Sequence, residues 1–315
     1  MTDFQAIVLG IVQGVTEFLP ISSNAHLKIV PVLLGWQDPG APFVAVCQWG
    51  TLLATLIYFR KDIINILAGK GGGPEGDGSA APDRRLIIPI IVGTIPVVIL
   101  GLLLKHRIEN EFRSLYLIAG SMIFFALLLA LAEARKSSRK KIDDVTATDG
   151  LLVGLGQVCA LIPGASRSGT TITAALLAGF DRAAAARFSF LLSLPAIFGA
   201  GLLELMNKGH AIASMHMARP LVIATVVSFF VGWASIGWLM RYLKNNPTYG
   251  FIVYRLIVGF ALLGLLASGR IKEAPPTKLQ ARDAGGRRVG CIGPGSQSVL
   301  ARLTYACPRF PRFRT

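Results

Sequence analysis

The chain has 315 residues, 53% of them hydrophobic and 16% charged, with a mean hydropathy of +0.58 and a formal net charge of +15. Soluble domains carry about 25% charged residues, so the composition excludes an ordinary soluble enzyme and points to a multi-pass membrane protein. The excess Lys and Arg gather in loops and the tail, where a membrane protein keeps them, and no nucleic-acid partner is expected.

Residues 4–34 read as a helical hairpin broken at Pro20, because proline removes a backbone donor and clashes with the preceding turn. No cleavable signal peptide is expected, since this first apolar stretch carries polar residues where a cleavage site would stand. Phe43–Phe59 reads as a span ended by Arg60-Lys61. Residues 69–82 are a Gly/Pro/Asp/Ser-rich loop; Gly69-Lys70-Gly71 lacks the Ser or Thr after Lys that a phosphate loop needs. Spans follow at Leu86–Leu104 and Leu115–Ala132, separated by a polar loop from Lys105 to Arg113. The basic run Arg135, Lys136, Arg139, Lys140, Lys141 reads as a solvated cytoplasmic loop. Residues 151–180 form a second apolar stretch, broken at Pro163. Spans at about 188–206, 220–240 and 250–268 complete the helical part, each matching the ~20 residues that a bilayer requires. A polytopic membrane domain is thus expected over 1–270, and a basic Gly/Pro-rich tail without a fixed fold over 271–315. Of the four cysteines, Cys47 and Cys159 read as core; Cys291 and Cys307 fall in the tail and pair only in an oxidising compartment.

The two halves, 1–134 and 150–270, repeat one pattern. Pro20 with Ser23 answers Pro163 with Ser166, and the span at Phe43 answers that at Phe188. One re-entrant hairpin plus three transmembrane helices gives each half an odd number of crossings. The expected fold is therefore all-α, with two inverted repeats whose broken hairpins meet near the midplane. Loop charge places the N-terminus outside and residues 60–85, 135–141 and 241–249 in the cytoplasm.

Polar residues at the two breaks carry the chemistry. Gln13-Gly-Val-Thr-Glu-Phe-Leu-Pro-Ile-Ser-Ser-Asn-Ala-His26 places Glu17, Ser22, Ser23 and His26 in an apolar stretch, and ionisable groups there mark function. Pro163-Gly-Ala-Ser-Arg-Ser-Gly-Thr-Thr171 supplies a cation and hydroxyls ahead of a helix start, an arrangement suited to phosphate. Close packing explains Gly169 and the hydroxyls but not a buried Arg167. Ser23 is a candidate nucleophile, and His26, three residues on, a candidate base for it; attack by His26 or by water are the alternatives. Glu17 suits a divalent cation or general-base work. Arg167 suits the transferring phosphoryl group, with Gln13, Ser22, Ser166, Ser168, Gly169 and Thr171 as substrate ligands. Thr16 and Ser22 also fit local caps. A lipid-phosphate transporter or flippase is the competing reading, because inverted repeats with broken helices are a transporter pattern.

Both signatures closely resemble those of the undecaprenyl-diphosphate phosphatases of the bacitracin-resistance family, over roughly residues 1–268. The resemblance implies an integral enzyme of the bacterial inner membrane. It would hydrolyse the C55 isoprenoid diphosphate to the monophosphate that carries cell-wall precursors, with its active site opening to the periplasm. It implies Glu17, Ser23, His26 and Arg167 as functional residues and a divalent cation, Mg2+ or Ca2+, on Glu17 and Gln13. The family often has Glu where this chain has Gln13, and Thr-Gly where it has Asn24-Ala25. Expected partners are the polyprenyl diphosphate and membrane lipid, with a homodimer as the candidate assembly. The separate membrane phosphatase class with Pro-Ser-Gly-His and Ser-Arg-His motifs does not fit, because no suitably spaced His follows Ser166-Arg167.

Overall fold

A computed structural model describes residues 1–69, 84–104, 114–214 and 218–271, which are helical apart from turns and one isolated bridge. The expected loops around 69–82, 105–113 and 207–219 fall wholly or partly outside the described residues, as does the tail with Cys291 and Cys307. The helices are α1 (Asp3–Phe18), α2 (Ser23–Leu33), α3 (Gly40–Tyr58), α4 (Arg60–Ala68), α5 (Ile87–Leu103) and α6 (Leu115–Arg135). They continue with α7 (Ala147–Cys159), α8 (Arg167–Leu177), α9 (Arg182–Ser214), α10 (Ala218–Asn245) and α11 (Tyr249–Ala267). Among the described residues, five helices are long and apolar enough to cross a membrane, and the α3–α4 pair, bent by 65°, is apolar enough to make a sixth when taken together. This is a multi-pass membrane protein. The helix expected from residue 188 starts earlier, at Arg182. Asp181 caps it, its side chain accepting from Ala184 N at 2.7 Å, and the run Ala183–Ala186 favours helix.

Two short broken hairpins, α1–α2 and α7–α8, are the expected departures from straight spans, and they correspond position by position. Thr2 and Thr146 cap the first arms with matching capping boxes to Gln5 and Asp149. At the same separation, Gly10 answers Gly154, Gln13 answers Gln157, Ser22 answers Ser166 and Gly35 answers Gly179. Ser22 and Ser166 both have positive φ, 78° and 72°, and both cap an 11-residue second arm. This corrects the register read from the prolines: Ser23 lies opposite Arg167, not Ser166, and His26 opposite Thr170. Proline marks where a helix cannot continue. The next helix begins at the residue that caps it, and that is the positive-φ serine.

Helix pairing exchanges the halves: α1 lies along α10, and α7 along α5. Glycines permit both approaches. A Cβ on Gly10 would stand 2.7 Å from the Ala224 carbonyl oxygen, and one on Gly14 2.9 Å from Gly232 N. Gly150 and Gly154 meet Pro89 and Gly93 in the same way. Spacing of four between small residues is how membrane helices achieve close packing without a hydrophobic driving force. Between the hairpins, Phe18, Phe59, Phe188 and Phe190 build an aromatic centre, with Phe18 edge-on to Phe190 at 5.5 Å. Of the two cysteines expected in the core, Cys47 is fully buried and Cys159 half-buried.

The basic run after α6 is not wholly solvated. Lys136 and Arg182 both bind Glu133, and Thr248 Oγ1 donates to the same carboxylate at 2.8 Å. Lys140 binds Asp149 at 2.8 Å, tying the run to the start of α7. On α4, Asp62 receives a two-pronged bond from Arg187, with 2.7 Å from Nε and 2.6 Å from Nη2, joining the bent span to α9. These pairs hold helix ends together; buried partners of this kind are costly to break singly.

Candidate active site

The two hairpin breaks meet. Glu17, in the last turn of α1, is 6% exposed and gathers three donors. Its Oε2 accepts from Gln13 Nε2 at 3.0 Å and from Ser23 Oγ at 2.6 Å, while Oε1 accepts from Arg167 Nη2. Glu17, Ser23, Gln13 and Arg167 therefore form one cluster, although Arg167 comes from the other half of the chain. Arg167 is the first residue of α8 and keeps 22% of its side chain exposed, so it faces a cavity and is not sealed in the core.

That cavity has a volume of about 160 Å³ and is lined by Glu17, Ser22, Ser23, Asn24, Gln48, Gln157, Ser166 and Arg167 among others. Both α2 and α8 begin at it, so two helix N-termini converge where an anion would sit. The positive φ of Ser22 and Ser166 turns the chain sharply enough for each helix to start there. Their hydroxyls accept from Ala25 N at 3.4 Å and Gly169 N at 3.2 Å, satisfying backbone groups at the helix starts. The second helix was expected after the motif; it begins inside it, at Arg167.

His26 does not contact Ser23 through a hydrogen bond. Its Nδ1 lies 2.8 Å from the Ser22 carbonyl, which only accepts, so Nδ1 carries the proton. Its Nε2 lies 2.7 Å from the Tyr254 hydroxyl, and the two rings stack at 5.6 Å. The expected Ser23–His26 pair is thus replaced by Ser23–Glu17. Spacing of three on a helix allows contact, but the sharp turn at Ser22 aims Ser23 back toward α1.

Three expected substrate ligands face protein. Ser168 Oγ donates to the Leu19 carbonyl at 3.0 Å, stitching the breaks together. Thr171 Oγ1 donates to the Arg167 carbonyl at 2.7 Å and also bonds Ser189 on α9. Gly169 leaves room for Arg255, whose Nη1 would stand 2.8 Å from an added Cβ. Thr16 bonds back to the Val12 carbonyl at 2.6 Å and caps nothing.

Four further residues belong to the site. Arg255 on α11 is fully buried and donates to the Pro20 carbonyl at 3.3 Å, to Gly164 and Ala165 at 3.0 Å, and to Met122 at 3.2 Å. Pro20 and Gly164 are equivalent positions of the two hairpins, so one guanidinium clamps both breaks. An ionisable side chain inside an apolar span was its signal. Tyr254, its neighbour, and Gln48 gave no such signal. Gln157, 1% exposed on the cavity wall, has no protein hydrogen-bond partner for either amide atom among the described residues, and neither has Gln13 Oε1. Buried polar atoms without partners are rare, and Gln157 faces the cavity, where a ligand or water can reach it.

A hard cation finds only oxygen donors here: the Glu17 carboxylate and the amide oxygens of Gln13 and Gln157. No group of three His, Cys, Asp or Glu side chains gathers among the described residues. That set fits Mg2+ or Ca2+ only when a substrate's own oxygens complete it, which is how Mg2+ commonly binds.

The fold and the site define a class: a polytopic helical membrane protein with an acid–hydroxyl–arginine cluster at the joint of two broken hairpins. The chain belongs to the family described as bacitracin resistance protein BacA, whose profile matches residues 6–261. It is 49% identical to an undecaprenyl-diphosphatase of Chlorobaculum tepidum, over 86% of this chain and 99% of that protein. It is also 50% identical to proteins of the same name from Chloroherpeton thalassium and Myxococcus xanthus. Those alignments cover 86% of this chain in each case, and 99% and 91% of the relatives.

Proposed function

We infer that the chain hydrolyses undecaprenyl diphosphate to undecaprenyl phosphate and inorganic phosphate, recycling the lipid carrier of cell-wall synthesis. The observation that carries this is the Ser23 hydroxyl held 2.6 Å from Glu17, beside Arg167 and two helix N-termini. A flippase needs a headgroup site but no hydroxyl poised on a carboxylate.

The arrangement supports a phosphoryl-transfer sequence. The terminal phosphate enters the cavity and takes Arg167 from Glu17, freeing one carboxylate oxygen. Ser23 Oγ attacks the terminal phosphorus while Glu17 takes its proton. The bond to the bridging oxygen breaks, its electrons leaving on undecaprenyl phosphate. Glu17 releases that proton to water in the cavity; a water molecule then attacks the phosphoserine, giving one proton to Glu17, which passes it to Ser23 Oγ as the P–O bond to serine breaks and phosphate departs. In this sequence Arg167 and the helix starts supply electrostatic positioning, the main catalytic resource in phosphoryl transfer. His26 acts as a positioning residue, its Nδ1–H holding the Ser22 carbonyl and hence the turn that aims Ser23.

Glu17, Gln13 and Gln157 would hold a divalent cation together with diphosphate oxygens; it would offset phosphate charge. We place the site in the bacterial inner membrane, opening toward the periplasm, with the two halves crossing in opposite senses. The exchanged helix pairing and loop charge support this orientation.

Phosphate release from C55 diphosphate by purified protein, with and without EDTA, tests the reading. Release that EDTA suppresses and Mg2+ or Ca2+ restores is expected. No release under any metal condition would refute the enzyme.

A further inference from the structure

Gln157, on α7, lines the polar cavity and is 1% exposed, yet neither Nε2 nor Oε1 has a hydrogen-bond partner among the described residues. The correspondence of the two hairpins shows how this arises. Gln157 stands in α7 where Gln13 stands in α1. Gln13 Nε2 donates at 3.0 Å to Glu17 Oε2, four residues on. Four residues on from Gln157 is Leu161, whose side chain accepts nothing. The second amide thus holds the same place without a protein acceptor. A buried donor left unmet is costly, so a ligand in the cavity gains by supplying the acceptor. Asn24 and Gln48 line the same cavity, but Asn24 is exposed and Gln48 half-buried, so water reaches both.

A lipid diphosphate brings two anionic groups, and the cluster around Glu17 accounts for one. Arg167, Ser23 and the starts of α2 and α8 suit the phosphate that is transferred. Gln157 bonds to no member of that cluster, so it is a separate donor on the same cavity. We propose that Gln157 is a substrate ligand for the other phosphate, the one that stays on the lipid. Its Nε2 donates to an oxygen of that group, and the site thereby reads a diphosphate instead of a lone phosphate. The amide oxygen is left for the cation. The proposal rests on the phosphatase reading for which phosphate is transferred.

The test uses Gln157→Met, which keeps the length of the side chain and removes the amide. Calorimetry gives the Kd of farnesyl methylenediphosphonate, whose P–C–P bridge resists hydrolysis. Phosphorus NMR gives that of inorganic phosphate, and both are measured with Mg2+ and in EDTA. Gln157→Met should raise the diphosphonate Kd by about ten- to a hundredfold, the worth of one hydrogen bond to a charged group, and leave the phosphate Kd unchanged. Its melting temperature should match or exceed that of the unaltered protein, because an amide without protein partners gives the fold no bond to lose. Four outcomes overturn the proposal. Equal weakening of both ligands would put Gln157 on the transferred phosphate, and no weakening of either would leave it without a ligand. A loss confined to Mg2+ would make it a cation ligand only, and a lowered melting temperature would make it structural. Selective weakening in a protein that releases no phosphate from undecaprenyl diphosphate would uphold the ligand and refute the phosphatase. Turnover without selective weakening would do the reverse.

Discussion

Glu17 is the residue on which the proposed chemistry turns, because three donors converge on one carboxylate. Glu17→Gln keeps the shape but cannot take a proton, so turnover should fall about 10²- to 10⁴-fold, the usual worth of a positioned base. Steady-state kinetics on C55 diphosphate measures it. Arg167→Lys keeps the charge and loses the planar fork. A fall of about ten- to a thousandfold in kcat is expected, the scale of one preorganised donor; near-normal turnover would leave Arg167 a structural partner of Glu17. Rapid-quench labelling with radioactive C55 diphosphate should trap an acid-stable phosphoserine that Ser23→Ala abolishes. Label that persists without Ser23 and is lost in acid would move the attack to His26. Glu17, Ser23 and Arg167 were legible in the sequence, since polar and ionisable groups stand out in apolar stretches. Their pairing was not. Nothing in a linear reading says that Ser23 turns toward α1 and away from His26, because that depends on the backbone at Ser22. Gln157 escaped notice because an amide in an apolar stretch reads as ordinary packing until its missing partners are seen.

At the scale of elements, the breaks are built from a positive-φ serine, a following short helix and the Arg255 clamp. Arg255→Lys offers donors from a single point and leaves buried carbonyls unsatisfied, at about 1–3 kcal/mol each. Melting temperature and kcat should both drop, whereas Ile257→Leu on the exposed face of the same helix should alter neither. The start of α7 has its own electrostatic tie. Burial alone would raise the Asp149 carboxyl, but hydrogen bonds from Lys140 and Thr146 outweigh it and hold it below the usual range. A depressed folded pKa contributes stability that is present above the unfolded value of about 4 and is lost as pH falls further. Asp149→Asn should therefore flatten the acid limb of a melting-temperature profile and leave its shape near neutral pH unchanged. The order of helices was readable from apolar length, and the hairpins from proline. The register between hairpins was not, because the two prolines are not equivalent: Pro20 answers Gly164, and Pro163 answers Leu19. Matching prolines therefore slipped the alignment by one residue.

Across the whole molecule, the orientation proposed above rests on the charge of the loops and on an odd number of crossings in each half. Single cysteines near Arg60 and Lys140 should resist an impermeant thiol reagent in intact cells, and one near Glu109 should react. Labelling near Lys140 from outside would reverse the orientation proposed for the site. The fold also explains why residues so far apart in sequence sit together: each hairpin packs along a helix of the opposite half, α1 along α10 and α7 along α5.

By count, the position equivalent to Glu17 in the second hairpin is Leu161, and Leu161 lines the same polar cavity. The two matching hairpins thus divide their labour. One has an acid at this position and a serine where the other has its arginine; the other has a hydrocarbon side chain there. A substrate that is itself half charge and half grease is met by a pair of hairpins that differ along the same line. Leu161→Glu would test that division by asking the second hairpin to resemble the first: it should set a second carboxylate in the polar cavity, against the incoming diphosphate, and depress turnover.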